Sequence, residues 1–170
     1  MSSVETVTAP QGSPFWKFSL GYYRGAGVSE ACLELQDRCG VDVNVGLILL
    51  WLASQKRVLA ADQVKRLADK VRPWQADVIG PIRALRRMLK SDAPLLDKGS
   101  AELFRTKIKA VELESERLQQ EAMYGLAESL KTESATSVAA AARTNIAAYE
   151  SAVGRPFIKT AVDTMVAALK

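Results

Sequence analysis

Between Val43 and Ala53 the only polar side chain is Asn44. A helix over that run has no solvent face, so other helices must wrap it. The pattern predicts a central apolar helix over about 42–56, with Asp42 or Asn44 accepting a first-turn backbone N–H and Gln55, Lys56 and Arg57 at its carbonyl end. The run is bounded by Asp42 and Lys56 and is shorter than the roughly 20 apolar residues of a membrane span. Val41, Val43 and Val45 alternate as a buried strand would, but the rest of the chain offers no partner strand.

The flanking segments repeat the helical period. Ser13 as N-cap and Pro14 at the first position open a helix over 14–24, with Phe15, Phe18 and Tyr22 on one stripe and Trp16, Leu20 and Tyr23 on a second, so that the helix is expected to be mostly covered. Ser29 is the expected cap of a second helix ending at Gly40, whose inward residues are Ala31, Cys32, Leu35 and Cys39. A fourth helix, with Asp62 as its cap, buries Val64, Leu67, Ala68 and Val71 and is expected to stop before Pro73. A fifth, over 74–89 and bent at Gly80-Pro81, turns Val78, Ile82, Leu85 and Leu89 inward. From Ser100 to about Lys131, Phe104, Ile108, Val111, Ser115, Leu118, Ala122 and Gly125 keep the four-three spacing of a helix packed lengthwise on others. An alanine-rich helix over 137–153 ends at Gly154, and a last one follows Pro156 with Val162, Met165, Val166 and Leu169 inward. The expectation is an all-α fold of seven or eight helices without a sheet, a disordered leader over 1–13 and a single helical domain over 14–170. The loop around Pro94 is the best internal boundary, dividing possible halves 14–92 and 98–170.

Composition narrows the chemistry. With 170 residues, 48% hydrophobic and 25% charged, the chain can bury a sizeable core. There is no histidine, which removes the commonest neutral-pH base, the Ser-His and Cys-His nucleophiles and every His-containing zinc site. Cys32 and Cys39, seven residues apart on one helix, have Cα atoms separated by about 10 Å and cannot bond to each other. No phosphate loop, dinucleotide fingerprint, cysteine cluster or nucleophile elbow is present, and neither a catalytic residue, a metal ligand set nor a cofactor is assigned. No apolar segment follows a basic N-terminus, so a cytoplasmic location without membrane attachment is expected.

Charge is segregated. Between Gln55 and Lys90 ten basic residues face three acidic ones, a net +7 against +4 for the whole chain. Lys65, Arg66, Arg86 and Lys90 mark a basic face on the fourth and fifth helices, and Arg83, Arg87 and Lys90 form a stripe that suits phosphate or carboxylate. Glu112 and Glu116, one turn apart, offer either a Mg²⁺ pair or partners for those arginines.

The segments Phe15-Trp16-Lys17-Phe18-Ser19-Leu20, Cys32 to Asp37, Gly40 to Asn44 with Leu50-Trp51-Leu52-Ala53, and Trp74 with Pro81 to Arg87 resemble a family of uncharacterised proteobacterial proteins known by a domain-of-unknown-function label. The likeness is strongest over 15–90 and looser through Glu112 to Arg117 and Asn145 to Tyr149. It implies a small bacterial cytosolic helical protein and transfers no activity.

Two readings follow. One is a non-enzymatic interaction or adaptor protein that binds another protein through the basic face; nucleic acid is the less favoured partner, since a total of +4 is modest and no known module is recognisable. The other is a small anionic-ligand site, enzymatic or not, in which Asp37, Asp42, Asn44, Trp74, Arg83 and Arg87 converge beside the central helix, where an unpaired polar group costs about 1–3 kcal/mol. Oligomeric state is left open.

Overall fold

The structure is a computed structural model and describes residues 12–91 and 95–170. Most of the expected leader and the Asp92–Pro94 part of the expected boundary lie outside the described residues. The fold is all-α: α1 (Pro14–Tyr22), α2 (Val28–Cys39), α3 (Val43–Ser54), α4 (Ala61–Trp74), α5 (Gly80–Ser91), α6 (Lys98–Glu128), α7 (Val138–Val153) and α8 (Lys159–Ala167). The expectation of no sheet needs one small correction. Strands β1 (Arg57–Val58) and β2 (Glu133–Ser134) pair antiparallel, Arg57 opposite Ser134.

The central helix is α3. Ten of its residues, Asn44 to Ala53, are buried, and the Asp42 carboxylate accepts the Asn44 N–H at 2.9 Å as its N-cap. α1, α2, α6 and α7 surround it, so its apolar circumference never meets water. Trp51 packs between Phe15 and Tyr124, with ring centroids 5.9 and 5.5 Å away. Asn145 of α7 is fully buried and ties three backbone segments together: its amide donates to the carbonyls of Leu49 and Arg57, and its oxygen accepts the Leu59 N–H. Those bonds satisfy carbonyl and amide groups where α3 gives way to β1 and an orphaned group would be costly.

Local signals were read correctly at some helix ends and not at others. Ser13 caps α1 through its hydroxyl, and its own N–H donates to Glu121 at 2.8 Å, so the ordered chain includes the last residue of the expected leader. Gly40 closes α2 at φ +70°, a conformation that other residues adopt only with strain. Ser29 does not cap α2. The helix starts two residues earlier, at Val28 behind Gly27 at φ +74°, and the Ser29 hydroxyl bonds to Glu30 instead. Asp62 lies inside α4; the Ala60 N–H is capped by the side chain of Gln63.

Pro73 does not end the fourth helix. It sits in the last turn of α4, which continues through a wide π turn (Gln75–Ile79) directly into α5, one helical rod from Ala61 to Ser91. The extra residue in the turn shifts the hydrogen-bond register, with the Gly80 N–H reaching Gln75, and absorbs the donors missing at Pro73 and Pro81. A side chain at Gly80 would place its Cβ 3.2 Å from the Gln75 carbonyl, which is why glycine suits this position. The rod is held along its length, α4 against α7 and α5 against α6, and that packing outweighs the local preference to stop.

Two expected faces are corrected. Trp16 is half-buried, but Leu20 and Tyr23 of the second α1 stripe are exposed. In α5 no residue is buried: Ile82 and Leu89 are half-covered and Leu85 is exposed, because α6 is the main neighbour of this helix, and Val78, in the π turn before it, is half-covered too.

Candidate functional site

The polar groups of the core meet where the start of α3 faces the middle of α6. The Asp42 carboxylate accepts Asn44 N–H and the Gln119 side-chain amide, the latter at 3.0 Å. The Asn44 amide donates to Gln119 at 2.5 Å and its oxygen accepts the Gln120 amide at 2.7 Å. Burial pushes the Asp42 carboxyl above its ordinary value, and the bonds from Gln119 and the Asn44 backbone recover only part of that penalty. On the other side, the Asp42 N–H donates to the Tyr149 hydroxyl at 2.9 Å.

One helical turn up α6 the same face carries a ladder of charges. The Arg83 guanidinium donates to Glu112 at 2.9 Å, Glu116 at 2.8 Å and the side-chain oxygen of Gln36 at 2.8 Å. Arg86 donates to both oxygens of Glu112. Burial pulls the Glu112 carboxyl upward, but the bonds and charges of Arg86 and Arg83 together outweigh it and hold the group below its ordinary range. Glu116 moves the opposite way: burial raises it, and Arg83 offsets that only in part. Glu112 and Glu116 therefore hold the arginines of α5, and no group of three or more metal-ligating side chains exists among the described residues.

The six candidate pocket residues do not share one cavity. Asp42 alone of them lines a cleft of about 490 Å³, whose polar wall also has Gln36, Arg72, Gln75 and Tyr149. Asn44 is buried among glutamines, and Arg83 is engaged on three sides. Asp37 and Arg87 face each other at 3.5 Å on the surface, and the indole N–H of Trp74 donates to the Ser115 carbonyl. On the basic face, Lys65 pairs with Asp69 and Arg66 with Asp62, each one turn away on α4, while Arg86 is paired to Glu112 and Lys90 is exposed at the end of α5. Most of the local positive charge is thus matched inside the molecule.

Sequence reasoning missed Gln36, Gln119, Gln120 and Tyr149. A signal existed: Glu112, Ser115 and Gln119 recur at helical spacing, and all three are buried. The four-three apolar row of α6 drew attention to the neighbouring stripe, which lies mostly toward solvent. Phe104, Val111 and Leu118 are 44%, 51% and 45% exposed. Of thirteen exposed large apolar residues described, nine fall between Leu85 and Leu118, on α5, α6 and the turn between them. Exposed large apolar side chains are thus concentrated on this part of the chain among the described residues.

No helix among the described residues is long and apolar enough to cross a membrane. No curated protein and no solved structure matches the chain. The family model described as "Protein of unknown function (DUF2390)" matches residues 14–123, from the first turn of α1 to the buried Met123 of α6 and more than half of the 170 residues. The chain belongs to that family of small helical proteins of unknown function.

Proposed function

We propose that this is a non-enzymatic bacterial interaction protein of the cytoplasm whose docking element is the α5–α6 hairpin. The observation that carries the reading is the run of exposed apolar side chains from Leu85 to Leu118 on a hairpin whose other side is closed by the Arg83, Arg86, Glu112 and Glu116 ion pairs. Those pairs hold the two helices in register and leave the apolar side as a preformed surface, which lowers the ordering cost of binding. The basic residues then act as rim and latch, since Arg83, Arg86 and Arg87 are already matched by Glu112, Glu116 and Asp37. Two buried free cysteines accord with a reducing compartment.

The test is quantitative affinity purification at low salt from the native host, comparing the natural chain with Val111→Glu. The expected result is one or more proteins, untagged copies of this chain counted among them, recovered with the former and lost with the latter. Equal recovery overturns the reading.

A second reading is a small-ligand site in the cleft beside Asp42. It is supported by the size of the cleft, within the range of about 300–1,000 Å³ usual for ligand sites, and by its polar wall of Gln36, Arg72, Gln75 and Tyr149. A thermal-shift screen of anionic metabolites, repeated on Arg72→Ala, tests it; no stabilisation by any compound removes it.

A further inference from the structure

We propose that the partner seated on the open side of the hairpin is a second copy of this chain, with α6 packed antiparallel to α6 of the partner subunit about a two-fold axis at Val111. The inference rests on the interaction reading above and names its partner.

Three observations on α6 point this way. Phe104, Val111 and Leu118 repeat every seven residues and are each close to half exposed, whereas Ala101 and Ser115, on the adjacent column of the same seam, are buried and Ile108 is half-buried. A heptad seam has two columns, and this molecule covers one of them. Next, the open column is its own complement. An isologous interface requires that the patch match itself after a two-fold rotation. Reversal about Val111 sets Phe104 against Leu118 of the partner subunit, Val111 against its own counterpart, and Leu118 against Phe104 of the partner subunit.

The charges select that direction over the parallel one. Lys107 and Glu114 lie on the same solvent flank of the open column, four residues before and three after Val111, and both are exposed. Antiparallel pairing brings Lys107 beside Glu114 of the partner subunit, twice by symmetry. Parallel pairing would place this flank on opposite sides of the seam in the two copies, so that neither charge meets its complement and the arrangement lacks both ion pairs. Glu114 already accepts Arg117 along its own helix, in an exposed pair that leaves carboxylate lone pairs free.

α5 extends the surface. The Arg86–Glu112 bonds set Leu85 at the level of Val111, and the contacts of Arg83 with Gln36 and of Arg87 with Asp37 turn the opposite side of α5 toward α2. Leu85 and Met88 of this neighbouring helix are exposed as well, and the proposed dimer seats them in the same layer as Val111. Two hairpins stacked on this side form a four-helix bundle with a shared apolar layer.

Sedimentation equilibrium on the full chain across a concentration series tests the proposal. The natural chain should approach twice its 18.5 kDa mass at the upper end. Val111→Glu puts two carboxylates at the axis and should give a monomer of unchanged helical content by circular dichroism, since Val111 is half exposed. Lys107→Glu and Glu114→Lys should each weaken dimerisation roughly tenfold, two like-charge contacts being formed in each, and the double variant should restore it. A monomer at every concentration, a dimer indifferent to Val111→Glu, or a double variant no tighter than the singles each overturns the proposal. If the chain is monomeric while Val111→Glu still loses foreign proteins in the affinity purification, the second-copy inference fails and the interaction reading stands.

Discussion

α3 and the α5–α6 hairpin are held by different forces. α3 has ten consecutive buried residues, of which Asn44 alone carries a polar side chain; α5 has no buried residue, and the buried face of the α6 midsection is Glu112, Ser115, Gln119 and Gln120. In the first region the hydrophobic effect acts from every direction, so no single neighbour is indispensable to position. In the second, geometry is set by directional bonds between a few guanidinium and carboxylate groups, and the apolar side chains remain available. A structural element can thus be well defined and still keep its apolar surface for a partner.

The sharpest way to separate the regions is by truncation. Trp51→Ala should cost about 3–5 kcal/mol in urea unfolding, because Trp51 is 8% exposed and fills the space between Phe15 and Tyr124. A near-neutral result would show that α3 is not the anchoring core.

An intermediate effect is expected where the hairpin is clasped. Glu112→Gln should lose about 2–3 kcal/mol at neutral pH by leaving Arg83 and Arg86 without their shared carboxylate. Because the folded value of the Glu112 carboxyl lies below its unfolded one, its contribution is present above the unfolded value and is lost as pH falls through the folded value. The difference between the natural chain and Glu112→Gln should therefore shrink on acidification. Asp42, raised by burial, has the opposite sign: its ionised form costs stability at neutral pH and protonation relieves that cost. Comparing the variant difference, rather than total stability, isolates the hairpin from this opposing background. A difference that is constant with pH would break the assignment of Glu112 as the charged clasp.

The smallest effect belongs to the open face. Phe104→Ser should change the stability of the monomer by no more than about 0.5 kcal/mol, since the side chain already faces solvent. A loss comparable to Trp51→Ala, measured at a concentration where the chain is monomeric, would mean that the face is packed and unavailable.

Much of this molecule is legible in its sequence. The buried α3, the Gly40 stop and the separated thiols follow from spacing, because each depends on neighbours along one helix or on one dominant pattern; spacing left the α3 cap open between Asp42 and Asn44, and Glu112 and Glu116 open between a Mg²⁺ pair and the α5 arginines, and the fold chose Asp42 and the arginines. The resemblance to a family without assigned activity is matched by the family that covers 14–123. The six candidate pocket residues show the opposite limit. Nothing in their spacing reveals that Arg83 spends its donors on Gln36, Glu112 and Glu116, or that Tyr149, more than a hundred residues along the chain, meets the Asp42 backbone.

By itself the sequence determined which stretches are helices and which one must be interior, since hydrophobic periodicity and end-capping act over a few residues. Only the tertiary structure decided that the helix runs on through Pro73, that α6 buries its polar stripe and leaves Phe104, Val111 and Leu118 open, and that Asn145 closes the end of α3. Those choices depend on which surfaces compete for the same space. An ion-pair ladder satisfied by α2 and α5 can turn a helix so that its apolar row faces away from its own core, and no local pattern records that competition.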